Sequence, residues 1–329
     1  MMTGRELVTR AIEFRRPERP PFFQHKLTEF PDDVCDCWET DRARAGWFFD
    51  HPAMDDWGCG WERVSENNMG QVTHHPLEDW AAFDRFRPPD PRDPFYFERV
   101  EPVLAEARGR YVLVSEHFNL VERHHMLRGF ANAMLDYCLE PEKTSRLLDM
   151  ILEFRVARFD EIRRRFGDRV HGVFLTDDWG TQQGTFVQNA VFEEFFLERY
   201  RRLVRAAHDA GLHVILHSCG RINAFLPYFI RVGVDAMNMQ QPRAYGIADV
   251  GEIARGKIAF FATADIQATL PKGNPQAIRN EVREIVERWG TPEGGIVAFD
   301  YGKAEGGVKV KDGGRKTRGG RRGAICHDP

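Results

Sequence analysis

No stretch of this chain is long and apolar enough to cross a bilayer. Its opening residues, Met1-Met2-Thr3-Gly4-Arg5-Glu6, lack the apolar segment and small-residue cleavage site of an export signal, so the expectation is a cytoplasmic protein. An excess of one charge is lacking too. Lys plus Arg number 46 and Asp plus Glu 50, a formal net charge of -4, which gives no general attraction for nucleic acid or an anionic membrane. The expected partner is a small molecule or another protein. Cysteine is sparse, six residues scattered over 329, which is not the disulfide framework of a small secreted domain. Reduced thiols are expected. Between Pro20 and Arg99 sustained periodicity is missing as well, while Trp38, Trp47, Trp57, Trp61 and Trp80 make the segment too aromatic for a linker. Irregular structure and short strands wrapped over a core are expected there.

What is present, beyond Arg99, is alternation. Apolar or β-branched runs at Tyr111–Ser115, Gly172–Thr176, His213–His217, Val234–Met239, Ile258–Thr263 and Ile296–Phe299 read as strands. Between them, Ser145–Phe166, Val191–Ala210, Ile222–Arg231, Ile247–Arg255 and Pro275–Trp289 read as amphipathic helices, the first with Leu148, Leu152, Phe159 and Ile162 inward and its arginines toward solvent. Thr3 and Glu6 have capping-box spacing and open a short first helix. With a strand near Pro21–Phe23 and another before Tyr111, the count approaches eight, and the predicted fold is a single TIM (β/α)8 barrel over residues 1–302. Residues 303–329 are basic and Gly-rich where the last barrel helix belongs; they predict a disordered tail and a last helix missing or altered.

In such a barrel the chemistry sits where strands end. His217 and Cys219, two residues apart at one strand end, point to the same side and form half of a zinc site. The same pair also suits a polar strand end in which His217 bonds a carboxylate and Cys219 packs. Asp177 and Asp178 end another strand and alternate in direction: one is expected in the pocket as acid, base or ligand, the other as a cap. Glu116, His117, Gln182, Asp265 and Gln267 stand at similar positions and are expected to contact substrate. Cys35–Cys37 and His124–His125 are read as chance pairs, and Cys326–His327 lies in the tail.

Met2-Thr3-Gly4-Arg5-Glu6 with Arg19-Pro20-Pro21, Asp177-Asp178-Trp179-Gly180-Thr181-Gln182, His217-Ser218-Cys219-Gly220, Asp265-Ile266-Gln267 through Leu270-Pro271-Lys272-Gly273, and Gly294-Gly295-Ile296 resemble the uroporphyrinogen decarboxylase superfamily. The resemblance implies a TIM barrel and one of two activities. Its corrinoid-linked methyltransferase branch implies zinc on His217 and Cys219, a methyl-corrinoid donor on a partner protein, and a thiol or related acceptor. The branch's third ligand, a later cysteine, is replaced here by Asp300-Tyr301-Gly302, so Asp300, Asp177 or Glu116 is the expected substitute. The cofactor-free decarboxylase branch implies an arginine-rich segment where this chain reads Phe22-Phe23-Gln24-His25-Lys26. A barrel that binds a ligand without turnover is the third reading.

Overall fold

The computed structural model describes residues 1–24, 32–38, 53–62 and 70–300; His25, Lys26 and the tail 303–329, with Cys326 and His327, lie outside them. The strands are β1 (Phe22–Phe23), β2 (Val34–Trp38), β3 (Ala53–Met54), β4 (Gly60–Glu62), β5 (Gln71–His74), β6 (Tyr111–Glu116), β7 (Gly172–Thr176), β8 (His213–His217), β9 (Ala236–Met239), β10 (Ala259–Ala262) and β11 (Ile296–Phe299). Eight form one sheet in the order β1-β11-β10-β9-β8-β7-β6-β2, with parallel pairing along it. With helices around it, this is the TIM barrel that the alternation predicts. No helix among the described residues is long and apolar enough to cross a membrane.

Two apolar layers follow from the strand period of two. Phe23, Val34, Leu113, Phe174, Ile215, Ala236, Phe261 and Val297 fill the barrel, and Val8, Ala11 and Ile12 of the first helix (Gly4–Ile12) pack against the same cluster. That helix begins with the predicted capping box, Thr3 and Glu6 each accepting the other's backbone N–H. Alternate strand residues face the helical layer, where Val112, Val114, Val173, Leu175 and Leu216 join the larger cluster.

The second barrel strand falls on Cys35-Asp36-Cys37, inside the segment expected to be largely irregular. Cys35 and Cys37 pack into the helical layer, and Asp36 accepts a hydrogen bond from Ser115 Oγ at 2.6 Å. The rest of that segment contributes a three-stranded antiparallel sheet, β3-β4-β5. Asp55 holds it to the barrel by accepting from the buried Arg123 guanidinium at 2.6 Å.

Asp33 makes the joint between β1 and β2. Its backbone N–H donates to Phe22 O at 2.8 Å, and its carboxylate accepts from Phe22 N at 2.8 Å and from both Arg19 terminal nitrogens at 2.7 Å. One side chain thus replaces a ladder that two short strands cannot extend.

Three other differences from the sequence reading have physical causes. The loop after β6 holds two helices, Leu120–Arg128 and Phe130–Leu139, and the first is buried on nearly every side, which leaves no amphipathic stripe to read. Arg155 and Arg158, expected to face solvent, are 2% and 0% exposed because both reach inward to Glu116. The predicted helix Val191–Ala210 opens with a π-helical segment, Phe192–Leu197, before Glu198–Asp209. The wider turn lets Phe192, Phe195 and Phe196 all bury.

Asp33→Ala removes the acceptor for Arg19 and for the Phe22 N–H at once. Urea denaturation should show a loss of about 2–3 kcal/mol; a change below about 0.5 kcal/mol would mean that the seam holds without the carboxylate.

Candidate active site

β8 delivers His217 and, one pleat further, Cys219 to the inner side of the barrel mouth, both buried. His217 Nε2 lies 3.4 Å from Cys219 Sγ and 3.6 Å from Asp178 Oδ1. All three donor atoms fall within 4.8 Å of one another. A tetrahedral metal with bonds of about 2.0–2.3 Å separates its donors by about 3.4–3.6 Å, so the spacing fits one ion with a position left for a further ligand.

The tautomer of His217 follows from its neighbours. Asn238 Nδ2 donates to Phe261 O at 2.9 Å, and Gln240 Nε2 donates to Asn238 Oδ1 at 2.8 Å. Asn238 Oδ1 is therefore an acceptor, and the His217 Nδ1 that stands 2.8 Å from it carries the proton. The lone pair is left on Nε2, the nitrogen that faces Cys219 and Asp178. A metal-binding histidine needs this arrangement.

The two aspartates at the end of β7 part ways. Asp177 is fully buried and points to the start of helix Leu120–Arg128, where it accepts from Glu122 N at 2.9 Å and Val121 N at 3.3 Å, and from the Tyr200 hydroxyl. Asp178 points into the mouth and accepts from Cys219 N at 2.7 Å. Trp179 lies in an aromatic cage, with centroids 4.6 Å from Phe196, 5.0 Å from Phe192 and 5.3 Å from Phe225. Its indole N–H donates to the Tyr200 oxygen at 3.0 Å. With Trp179 and Asp177 both held on Tyr200, Asp178 faces the other way. The two site loops then lock together: Arg221 N donates to Thr181 O at 2.7 Å, and Gly220 has φ +82° with Gly180 O only 2.1 Å from where a Cβ would stand, so no other residue fits.

Among the described residues the metal-competent group is Asp178, His217 and Cys219. Asp178 stands in that group, while Asp300, Asp177 and Glu116, the expected substitutes, do not. Glu116 is enclosed, accepting from Arg155 Nη1 at 2.7 Å and Arg158 Nε at 2.8 Å. His117 continues the inward parity of Leu113 and Ser115 and stays buried. Asp265 accepts from the backbone N–H of Gln267, Ala268 and Arg243 at 2.6–3.0 Å, so it shapes its loop. Gln182 Nε2 donates to Gln267 Oε1 at 3.1 Å. These two sit after β7 and β10, so their bridge spans the strands between, β8 and β9, which carry the histidine, the thiol and Asn238.

Residues that sequence reasoning passed over complete the site. Asn238 and Gln240 share a face at the end of β9, a signal present in their spacing of two. Glu122 had none, being one charge in a helix without a polar face; its Oε2 accepts from Thr176 Oγ1 at 2.9 Å. Burial first, then Asp178 and Asp177, hold its carboxyl well above the usual range.

Comparison with known proteins bears on the family and the fold. The family model for uroporphyrinogen decarboxylase (URO-D) matches residues 53–303. A methylated-thiol–coenzyme M methyltransferase of Methanosarcina mazei is 24% identical over 163 residues, 50% of this chain and 41% of that protein. A uroporphyrinogen decarboxylase of Alkalilimnicola ehrlichii is 23% identical over 248 residues, 71% of this chain and 64% of that one. The chain thus spans less than two thirds of the length of either. A solved methyltransferase from Methanosarcina mazei superposes with a TM-score of 0.67 over 91% of this chain and 93% of its own, at 14% identity, a likeness of fold.

Burial raises the Asp177 carboxyl to about 7, against the lowering by Tyr200 and the helix N–H groups. The folded chain holds that proton where an unfolded aspartate, with a pKa of about 3.9, has lost it, so stability falls as pH climbs from about 4 through about 7. Melting midpoints of wild type minus Asp177→Asn should therefore decrease between about pH 4.5 and about pH 7.5. A flat or rising difference would show an aspartate ionised throughout.

Proposed function

Because the chain belongs to the uroporphyrinogen decarboxylase family, we propose that it is a methyltransferase of that family, zinc-dependent, passing a methyl group from a methyl-corrinoid on a partner protein to a small-molecule thiol. The observation that carries this reading is the convergence of Asp178, His217 and Cys219. The curated relative named as a methylated-thiol–coenzyme M methyltransferase supports the same branch.

Asp178, His217 and Cys219 would hold the zinc, which would supply a Lewis acid that favours the thiolate form of a substrate thiol. The remaining work falls to the chain itself. Asn238, steadied by Gln240 and Phe261, keeps the His217 lone pair directed at the donor set. Asp177 anchors helix Leu120–Arg128 and leaves Asp178 to the mouth. Burial pushes the Glu122 carboxyl up, toward its neutral form, beside Asp178. Gln182 and Gln267 bridge the mouth and supply amides to an entering substrate, with His117 on the wall. The transfer would form a bond between the substrate sulfur and the methyl carbon and break the bond from that carbon to the donor, whose electron pair would stay with the donor; the thiol proton would pass to solvent.

Decarboxylation of a polycarboxylate calls for arginines with open donor edges. Around this mouth Arg155 and Arg158 serve Glu116, Arg123 serves Asp55 and Arg128 serves Asp136. The methyltransferase reading needs no such cluster.

Metal content tests the proposal. Wild type should carry close to one zinc, and the double variant His217→Ala/Cys219→Ala none. Asn238→Ala should weaken zinc binding about 10- to 100-fold against a competing chelator, with the fold intact by circular dichroism. Protein that takes up no zinc when supplied with it would sink the reading.

A further inference from the structure

Sharing no residue with the donor cluster, a cavity of about 460 Å³ opens among Arg243, Ala268, Thr269, Lys272, Asn274 and Ala277. Arg243 lies after β9 and the others in the loop after β10 and the start of helix Pro275–Trp289, so the cavity belongs to the mouth face. Gln241, two residues before Arg243, stands with its Nε2 4.0 Å from Cys219 Sγ. The cavity is of ligand size.

Its cations are arranged unequally. Arg243 is clamped through Nε, which donates to Thr269 Oγ1 at 3.1 Å and stands 2.6 Å from Glu281 Oε2 in an ion pair. Glu281 is fully buried and also accepts from Thr269 Oγ1 at 2.7 Å and from Asp265 N at 2.7 Å. The guanidinium is thus fixed in direction by one edge, while its side chain remains 54% exposed and lines the cavity. Lys272, exposed on the same wall, takes part in no ion pair among the described residues. The two carboxylates nearby are already spent: Glu281 on Arg243, and Asp265 on backbone N–H groups. The helix start adds little, because Asn274 Oδ1 caps Gln276 N and Ala277 N. The cavity is thus lined by a half-exposed guanidinium pinned at Nε, whose terminal nitrogens can bind two oxygens at once, and by the exposed Lys272.

We propose that this cavity is an oxyanion site, taking the carboxylate, sulfonate or phosphate end of a small molecule at the rim of the active site. The proposal does not depend on zinc. It separates recognition from chemistry: a charged end is held at Arg243 and Lys272 while the rest of the molecule extends toward the mouth.

Inorganic phosphate titrated into the full chain, by calorimetry, is the first test. Saturable binding is expected, weakened at least about tenfold in Arg243→Lys, which keeps a cation for Glu281 but loses the two-oxygen edge. Lys272→Met, at an exposed side chain that supports no other contact, should weaken it severalfold, and Lys257→Met, distant on the surface, should not. Absence of binding, or equal binding in Arg243→Lys and Lys272→Met, would overturn the proposal while leaving the zinc result standing. A second arm identifies the source of the anion in protein loaded with cobalt(II) in place of zinc, whose absorption reports thiolate binding. If phosphate competes with 3-mercaptopropionate and not with 2-mercaptoethanol, the site holds the substrate's charged end; if it competes with neither, the site holds free anion.

Discussion

The backbone N–H of Cys219 donates to Asp178 Oδ1 at 2.7 Å, and much of the mouth is organised around that bond. It ties the loop after β7 to the loop after β8 and sets a carboxylate beside an imidazole and a thiol. It requires that Asp178 turn inward, which Asp177 ensures by turning the other way onto the N–H groups that open helix Leu120–Arg128. A helix start is a natural place for a carboxylate. Here it acts at a distance, as the anchor that assigns the neighbouring residue its direction.

Buried charge follows a similar logic on the outer side of the barrel wall. Glu116 cannot be left alone in the helical layer, and Arg155 and Arg158 both reach it from helix Pro141–Phe166. Arg155 also donates to Phe118 O at 3.0 Å, in a loop where Phe118 takes φ +59°, a conformation that a bulky side chain adopts only when its surroundings hold it. The arginines that might have bound an acidic substrate are thereby used for architecture. Arg243 and Lys272, at the rim, line a cavity instead.

The barrel was legible because strands buried on both faces and helices with one wet face leave different periods in the sequence. His217 with Cys219 was legible for the same reason, a spacing of two at a strand end. Asp177 against Asp178 was legible as a division of labour without its direction, since adjacent residues must oppose each other but the sequence does not say which faces in. The strand through Cys35 and Cys37 was hidden by its lack of apolar alternation. Helix Leu120–Arg128, enclosed on nearly all sides, presents no stripe to find, and Glu122 was lost with it.

By itself the sequence determined what is local: the capping box at Thr3 and Glu6, the alternation of strand and helix, and the parity that brings His217 and Cys219 to one side. The tertiary structure decided everything that depends on which distant segments meet. Asp178 rather than Asp300 came to stand beside His217 and Cys219, Asn238 set the histidine tautomer, and Glu281 fixed the aim of Arg243. The reason is physical. Covalent geometry and side-chain period reach only a few residues along the chain, whereas closing a barrel places the ends of strands far apart in sequence within a hydrogen bond of one another.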